Sequence, residues 1–121
     1  MRKSNNKIKP WLDFKADTRP LWFHCASGEF EYAKPVIRLL KKKYPQQKIM
    51  VTYFSPSVMR SLQSTPEVDF FCPMPWDKKK LWNEFISHHN PQALLVARTD
   101  LWPMMISVSK KRKIPRLLFS K

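Results

Sequence analysis

A chain of 121 residues with 43% hydrophobic and 13% aromatic residues is long enough and apolar enough for one domain around one core, which excludes a disordered chain. Its 23 Lys and Arg against 9 Asp and Glu give a formal net charge of +14. The partners this favours are polyanions: nucleic acid, an anionic membrane, or a phosphorylated lipid or sugar. No apolar run approaches the ~20 residues of a spanning helix, and no signal-peptide core follows the first seven residues, so the chain reads as soluble or peripheral.

Residues 1–20 are polar and punctuated by proline, which reads as an N-terminal arm or linker ahead of a domain over 21–121. Leu21 to Cys25 reads as a strand. A helical pattern follows, with Ala33, Ile37, Leu40 and Tyr44 recurring at three to four residues and Lys41 to Lys43 before the Pro45 stop. Pro35 complicates its start, and the reading places the first helical residue near Lys34, with 29 to 33 as a lead-in turn. Lys48 to Phe54 is a second strand, and a short helix after Ser55-Pro56 turns Val58, Met59 and Leu62 inward. Asp69 to Cys72 is a third strand, and Lys78 to His89 a helix with Leu81, Trp82, Phe85 and Ile86 inward. Ala93 to Ala97 is a buried strand and Leu101 to Arg112 a helix carrying Trp102, Met105, Ile106 and Val108. Pro115 to Phe119 is the last strand.

Strand and helix alternate throughout, so the expected fold is α/β: a Rossmann-like three-layer domain with a five-stranded parallel sheet and four crossover helices. Right-handed crossovers give the strand order 3-2-1-4-5. Cys25 and Cys72 lie inside strands and form no Cys-x-x-Cys pair, so they read as buried reduced thiols, which fits a cytoplasmic setting. His24, His88 and His89 lack the spacing of a metal site.

Ligands of such a sheet bind outside the carboxyl ends of the strands. Those ends carry Ser27-Gly28-Glu29, Ser55-Pro56-Ser57, Pro75-Trp76-Asp77, Arg98-Thr99-Asp100 and Ser120-Lys121. Lys41 to Lys43 and Lys110 to Lys113 close helices at the opposite edge, where the macrodipole accounts for them without a ligand. Lys78, Lys79 and Lys80 instead open a helix on the binding edge and are the better candidates for meeting an anion. Gly28 is the chain's single glycine, where average usage would give roughly eight. It permits either a tight turn with positive φ or close approach of a ligand to the backbone. Glu29 then stands at a helix N-terminus as a carboxylate able to accept a proton from a substrate hydroxyl. A helix-start turn with a dipole-matched glutamate has the same spacing, and neither Gly-x-Gly-x-x-Gly nor a Walker motif is present.

Trp22 to Pro35, containing His24-Cys25-Ala26-Ser27-Gly28-Glu29, resembles the His-x-x-Ser-x-Gly-Glu segment of the 3-deoxy-D-manno-octulosonic acid (Kdo) transferases. Met74-Pro75-Trp76-Asp77 resembles their Leu-Pro-Tyr-Asp, and Arg98 to Pro103 their Glu-Thr-Glu-Leu-Trp-Pro. Lys110 to Pro115 is similar to the Lys-Arg-x-Ile-Pro before their next strand. The resemblance implies the N-terminal, acceptor-binding half of a bacterial two-domain GT-B glycosyltransferase. Such an enzyme moves Kdo from the donor CMP-Kdo to a lipid A precursor at the inner face of the cytoplasmic membrane, with no metal and no cofactor. It gives Glu29 the role of general base and Ser27 and Gly28 that of shaping its turn. Trp102 and Pro103 are expected mainly in packing and helix initiation.

The sequence departs from the family where Arg98 and Asp100 flank Thr99 in place of two glutamates. Arg98 is expected either to pair with a phosphate or carboxylate of a substrate or to form a salt bridge with Asp100 or Glu29. The family's hydrophobic N-terminal anchor and its donor domain have no counterpart in these residues. The isolated chain is therefore expected to lack appreciable transferase activity, with a donor domain supplied downstream or by a separate chain. Two alternatives stay open: a catalytically incomplete module that binds lipid A or an anionic membrane surface, and a nucleic-acid binder, which the core spacing of the aromatics disfavours.

Overall fold

A computed structural model of the chain describes residues 9–97 and 101–119. Five strands, β1 (Leu21–His24), β2 (Ile49–Tyr53), β3 (Phe70–Pro73), β4 (Ala93–Ala97) and β5 (Arg116–Phe119), form one sheet in the order β3-β2-β1-β4-β5. Every pairing is parallel, with Leu21 opposite both Ile49 and Ala93, Met50 opposite Phe70, and Leu94 opposite Arg116. The crossovers are α1 (Phe30–Lys43), α2 (Met59–Gln63, entered through a 3-10 turn at Pro56–Val58), α3 (Lys79–His89) and α4 (Pro103–Lys111). The expected strand order is the observed one, and each element sits within a few residues of its expected place, α1 apart.

The two faces of the sheet follow from the two-residue period of a strand. Trp22, Met50, Cys72, Leu94 and Val96 point to one side and pack with Trp82, Phe85 and Ile86 of α3 and Met105 and Val108 of α4. Phe23, Cys25, Ile49, Val51 and Tyr53 point to the other and pack with Phe30, Ala33 and Ile37 of α1 and with Val58 and Leu62. β2 is buried at all five positions, as a strand covered on both faces must be. Both cysteines are buried and unbridged, and burial pushes the Cys72 thiol up to about 12, so it stays protonated.

The start of α1 differs from the expected one. Backbone bonds run from Phe30 to Ser27 and from Ala33 to Glu29, so the chain turns helical ahead of Phe30, and Pro35 lies inside the helix. A proline in an interior turn forfeits one hydrogen bond. Here the helix continues because Phe30, Ala33 and Ile37 bury one continuous face against the sheet on both sides of Pro35. Tyr44 is also displaced from expectation: it caps the helix and is 53% exposed rather than facing the core.

Among the lysines closing α1, Lys41 is tethered. It lies 2.8 Å from Asp69 and donates to the Gln47 carbonyl, while Asp69 also accepts from the Ile49 amide. This network pins the amino ends of β2 and β3.

The described part of the N-terminal segment is folded onto α3. Trp11, in a 3-10 turn over Pro10–Leu12, is buried in the α3-side core, Phe14 stacks on Phe70 at 4.6 Å, and Arg19 donates to the carbonyls of Asn90 and Pro91. His88 Nε2 donates to the Phe14 carbonyl at 2.9 Å, and His89 Nε2 donates to that of Trp11. Because a carbonyl can only accept, both rings carry their proton on Nε2. His89 Nδ1 is buried with no partner among the described residues, so protonating it would place a charge in the core. Burial, aided by the charges of His88 and Lys15, lowers the His89 pKa from 6.5 to about 4.

The unfolded chain therefore binds the extra proton more readily than the native one. The stabilisation is complete above pH ~6.5 and is lost as pH falls through about 4, an effect on the order of 2–3 kcal/mol. Urea melts at pH 7 and pH 4.5 are expected to show this loss, and His89→Gln, which keeps a donor for the Trp11 carbonyl, is expected to flatten the dependence. An unchanged pH slope in that variant would assign the acid sensitivity elsewhere.

Candidate active site

β1 delivers the chain to the carboxyl edge at Cys25, whose amide bonds the Thr52 carbonyl of β2. The Ala26 carbonyl then accepts the amides of Phe54 and Ser55, which ties the loops after β1 and β2 together. Beneath them lies a buried polar trio. Trp22 Nε1 donates to Thr52 Oγ1 at 2.9 Å, and His24 Nδ1 is 2.7 Å from the same oxygen. The histidine that opens the family segment is thus a core group that braces β1 against β2.

The Ser27-Gly28-Glu29 turn sits above this base. Glu29 Oε1 accepts the Ser27 amide at 2.9 Å, folding the half-buried carboxylate back over the turn. Of the two roles open to Gly28, the structure removes one: its φ is not positive. A Cβ built there meets nothing within 4 Å, so the fold itself does not require glycine. Gly28→Ala is accordingly expected to raise stability by about 0.4–1 kcal/mol, through a less flexible unfolded chain. If close approach of a ligand is what keeps the side chain absent, the same variant is expected to weaken binding of that ligand about tenfold or more. A thermal melt and a titration on the same sample check both parts. A fall in melting temperature would show that the turn does need glycine.

The neighbouring carboxylate, Glu31, is already engaged. It accepts the Ser61 hydroxyl at 2.6 Å and lies 3.0 Å from Lys34, and these contacts hold its carboxyl below its ordinary range.

At the other end of the edge, Asp77 joins three elements. Its Oδ1 accepts Trp82 Nε1 of α3 at 2.8 Å and the Met105 amide at 3.0 Å, and its Oδ2 accepts the Met104 amide at 3.1 Å. Met104 and Met105 are the second and third residues of α4, whose own N-cap, Trp102, contributes no side-chain cap. Asp77 thus caps a helix remote in sequence and complements its dipole.

Ser27, Gly28 and Glu29 share one turn, as expected. Lys78 is exposed and forms the N-cap position of α3, which packs on the face of the sheet opposite to α1, at whose start Glu29 lies. Arg98, Thr99 and Asp100 lie outside the described residues, as do Ser120 and Lys121; β4 ends at Ala97, one step past the pairing of Val96 with His24. The role of Asp77 as a clamp is not readable from the sequence, where an aspartate before a helix signals a cap for that helix. Trp76 and Phe54 are 75% and 56% exposed, so the core spacing of the aromatics does not extend to these two. Among the described residues no three His, Cys, Asp or Glu side chains gather as metal ligands, and no helix is long and apolar enough to cross a membrane.

The chain is 34% identical over 96 residues to the 3-deoxy-D-manno-octulosonic acid transferase of Aquifex aeolicus, covering 78% of this chain and 26% of that protein. It is 32% identical over 97 residues to the Haemophilus influenzae enzyme of the same name, covering 78% and 23%. The chain thus spans about a quarter of the length of the curated relatives it matches. Among solved structures, E. coli ADP-heptose LPS heptosyltransferase II, a GT-B glycosyltransferase, superimposes with a TM-score of 0.64 at 21% identity. That match covers 84% of this chain and 30% of that one, and it is a likeness of fold. Residues 3–120 match the family model described as 3-deoxy-D-manno-octulosonic-acid transferase (kdotransferase), and the chain belongs to that family.

Proposed function

We propose that this chain is the acceptor-binding part of a Kdo transferase, which moves Kdo from CMP-Kdo to a lipid A precursor in lipopolysaccharide biosynthesis, with Glu29 as general base. The observation that carries the reading is the placement of Glu29. Its carboxylate stands on a half-exposed turn at the carboxyl edge, and one oxygen is oriented by the Ser27 amide. The other oxygen takes the proton of the acceptor hydroxyl as that oxygen attacks the anomeric carbon of the donor and CMP departs. Ser27 and Gly28 aim the base. Lys78 and Arg98 meet the anionic groups of the acceptor, and Thr99 and Asp100 shape the site beside them. The donor is held by a second domain, and the net charge of +14 supports a position at the cytoplasmic membrane surface.

Titration of a lipid A precursor into the purified chain tests this, with Glu29→Gln in parallel and at two salt concentrations. Saturable binding shared by both proteins within about threefold is expected, because a proton acceptor is needed in the chemical step and not in the complex. Binding that disappears with salt and shows no preference for the lipid over a nucleic acid would overturn the reading. The replacement of two family glutamates by Arg98 and Asp100 favours one other reading, a module that holds the lipid without chemistry. It predicts the same binding and no transfer.

A further inference from the structure

The helices cover the two faces of the sheet unequally. On one face α1 and α2 lie over β1, β2 and β3, and α3 and α4 lie on the other. Leu94 and Val96 pack with α3 and α4, so Leu95, which alternates with them, belongs to the α1 face, and so do Leu117 and Phe119, which stand opposite Leu95 and Ala97. Beyond α1 this floor over β4 and β5 lies open: Leu95 and Phe119 are half-buried and Leu117 is 58% exposed. Parallel sheets bury both faces under helices, so the open strip is an exception to the rule that the rest of the fold obeys.

The flank of α1 beside the strip is apolar as well. Glu31, Arg38 and Lys41 reach Ser61, Glu67 and Asp69, so their flank of the helix faces α2 and β3. The opposite flank therefore faces β4 and β5, and at helical spacing it carries Tyr32, Val36 and Leu40, with Lys43 completing the row. Tyr32 and Val36 are 44% and 43% exposed. Floor and wall form a step whose height is that of a helix, about 10 Å. A further helix laid in the step would pack beside α1 at an interaxial distance of about 8–10 Å and rest on the sheet beneath. A planar surface resting on Leu39, at the exposed crest of α1, would not reach that floor.

Charge narrows the occupant. Glu31, Glu67 and Asp69 are engaged on the α2 side, Asp77 and Glu84 bond to or lie on α3, and Asp13 and Asp17 belong to the segment folded onto α3. Among the described residues this leaves Glu29, at the carboxyl end of the step, as the acidic group near it, with Lys43 exposed at the other end and a net charge of +14 on the chain. Two copies of so basic a chain repel, whereas an acidic partner is attracted. We propose that the step is the docking face for an amphipathic helix with acidic flanks, supplied by the part of a Kdo transferase outside the segment matched here. The curated relatives carry about three quarters of their length in that part. The proposal rests on the reading of the chain as part of such an enzyme and not on what the enzyme transfers.

The test uses the chain grafted into the Aquifex aeolicus enzyme in place of the matching residues, with any cysteine of the host portion replaced by serine. Cys25 and Cys72 are buried and leave thiol chemistry to introduced probes. Val36→Cys and Leu117→Cys are expected to react with a maleimide at least about tenfold more slowly than Ser87→Cys, an exposed site on α3 across the sheet, while in the isolated chain the three react within about threefold of one another. A benzophenone carried on Leu117→Cys is expected to cross-link, on illumination, to a host helix that has an apolar stripe and acidic flanks. Leu117→Glu, which sets a like charge against those flanks, is expected to lower the melting temperature of the chimera and to leave that of the isolated chain unchanged.

Equal reactivity of the three cysteines in the chimera would overturn the proposal, as would a cross-link to a second copy or to a basic or non-helical segment. Protection that appears only with phosphatidylglycerol vesicles would overturn it in favour of a lipid surface, and an equal fall in melting temperature in chain and chimera would place Leu117 in the chain's own core. Protection of Leu117→Cys in a chimera that binds no lipid A precursor would remove the acceptor reading and keep this one. Precursor binding with Leu117→Cys as reactive as Ser87→Cys would do the reverse.

Discussion

Grafted into a full-length Kdo transferase in place of the matching segment, this chain is expected to lose about 10²–10⁴-fold of its transfer rate on Glu29→Gln. The substitution suits the question because glutamine keeps a carbonyl oxygen for the Ser27 amide, so the turn retains that side-chain tether. What it removes is the capacity to take up a proton. The loss should therefore appear in kcat with KM nearly unchanged, the pattern of a group that acts only in the transition state. Glu31→Gln is the matched control. It sits two residues away, yet its carboxylate is engaged by Ser61 and Lys34 and supports the contact between α1 and α2. Its loss is expected to cost a few tenths of a kcal/mol in stability and to leave the rate within about threefold. Full activity in the Glu29→Gln chimera, or a larger loss in Glu31→Gln, would move the general base away from Glu29.

The strand order and the two-sided core were readable because they depend on local pattern. Trp22 alternates with Phe23 and Met50 with Val51, and each pair divides between the two layers, as a buried parallel strand dictates. The helical repeats of Trp82, Phe85 and Ile86, and of Met105 and Val108, likewise point at the sheet without reference to any partner. The features that escaped depend on distance in sequence. Pro35 signals a helix start locally, yet the burial of Phe30 and Ala33 against the sheet carries the helix through it. Asp77 has the local signature of a cap for α3, yet its carboxylate reaches α4, 26 residues further on at Pro103. Even the reason for Gly28 was half legible: spacing allowed a backbone role or a ligand role, and only the three-dimensional turn, with no positive φ and open space at the Cβ position, separates them.

Asp77→Ala is expected to destabilise the fold by about 2–4 kcal/mol. Two contributions combine. Removing a side-chain cap from a helix start costs about 0.5–2 kcal/mol, here at the Met104 and Met105 amides. Leaving a buried donor unpaired costs about 1–3 kcal/mol, and Trp82 Nε1 belongs to a side chain with no solvent exposure. Trp82 also packs at 5.6 Å from Trp22, so any rotation to recover a partner for its indole would disturb the core beneath β1. Asp77→Asn keeps one acceptor oxygen and should fall between wild type and alanine. Urea unfolding of the three proteins measures the series, and equal midpoints would mean that α4 finds its cap elsewhere. The same clamp fixes the start of α4 and with it Trp102, whose ring lies 5.4 Å from that of Phe54, the residue whose amide bonds the Ala26 carbonyl.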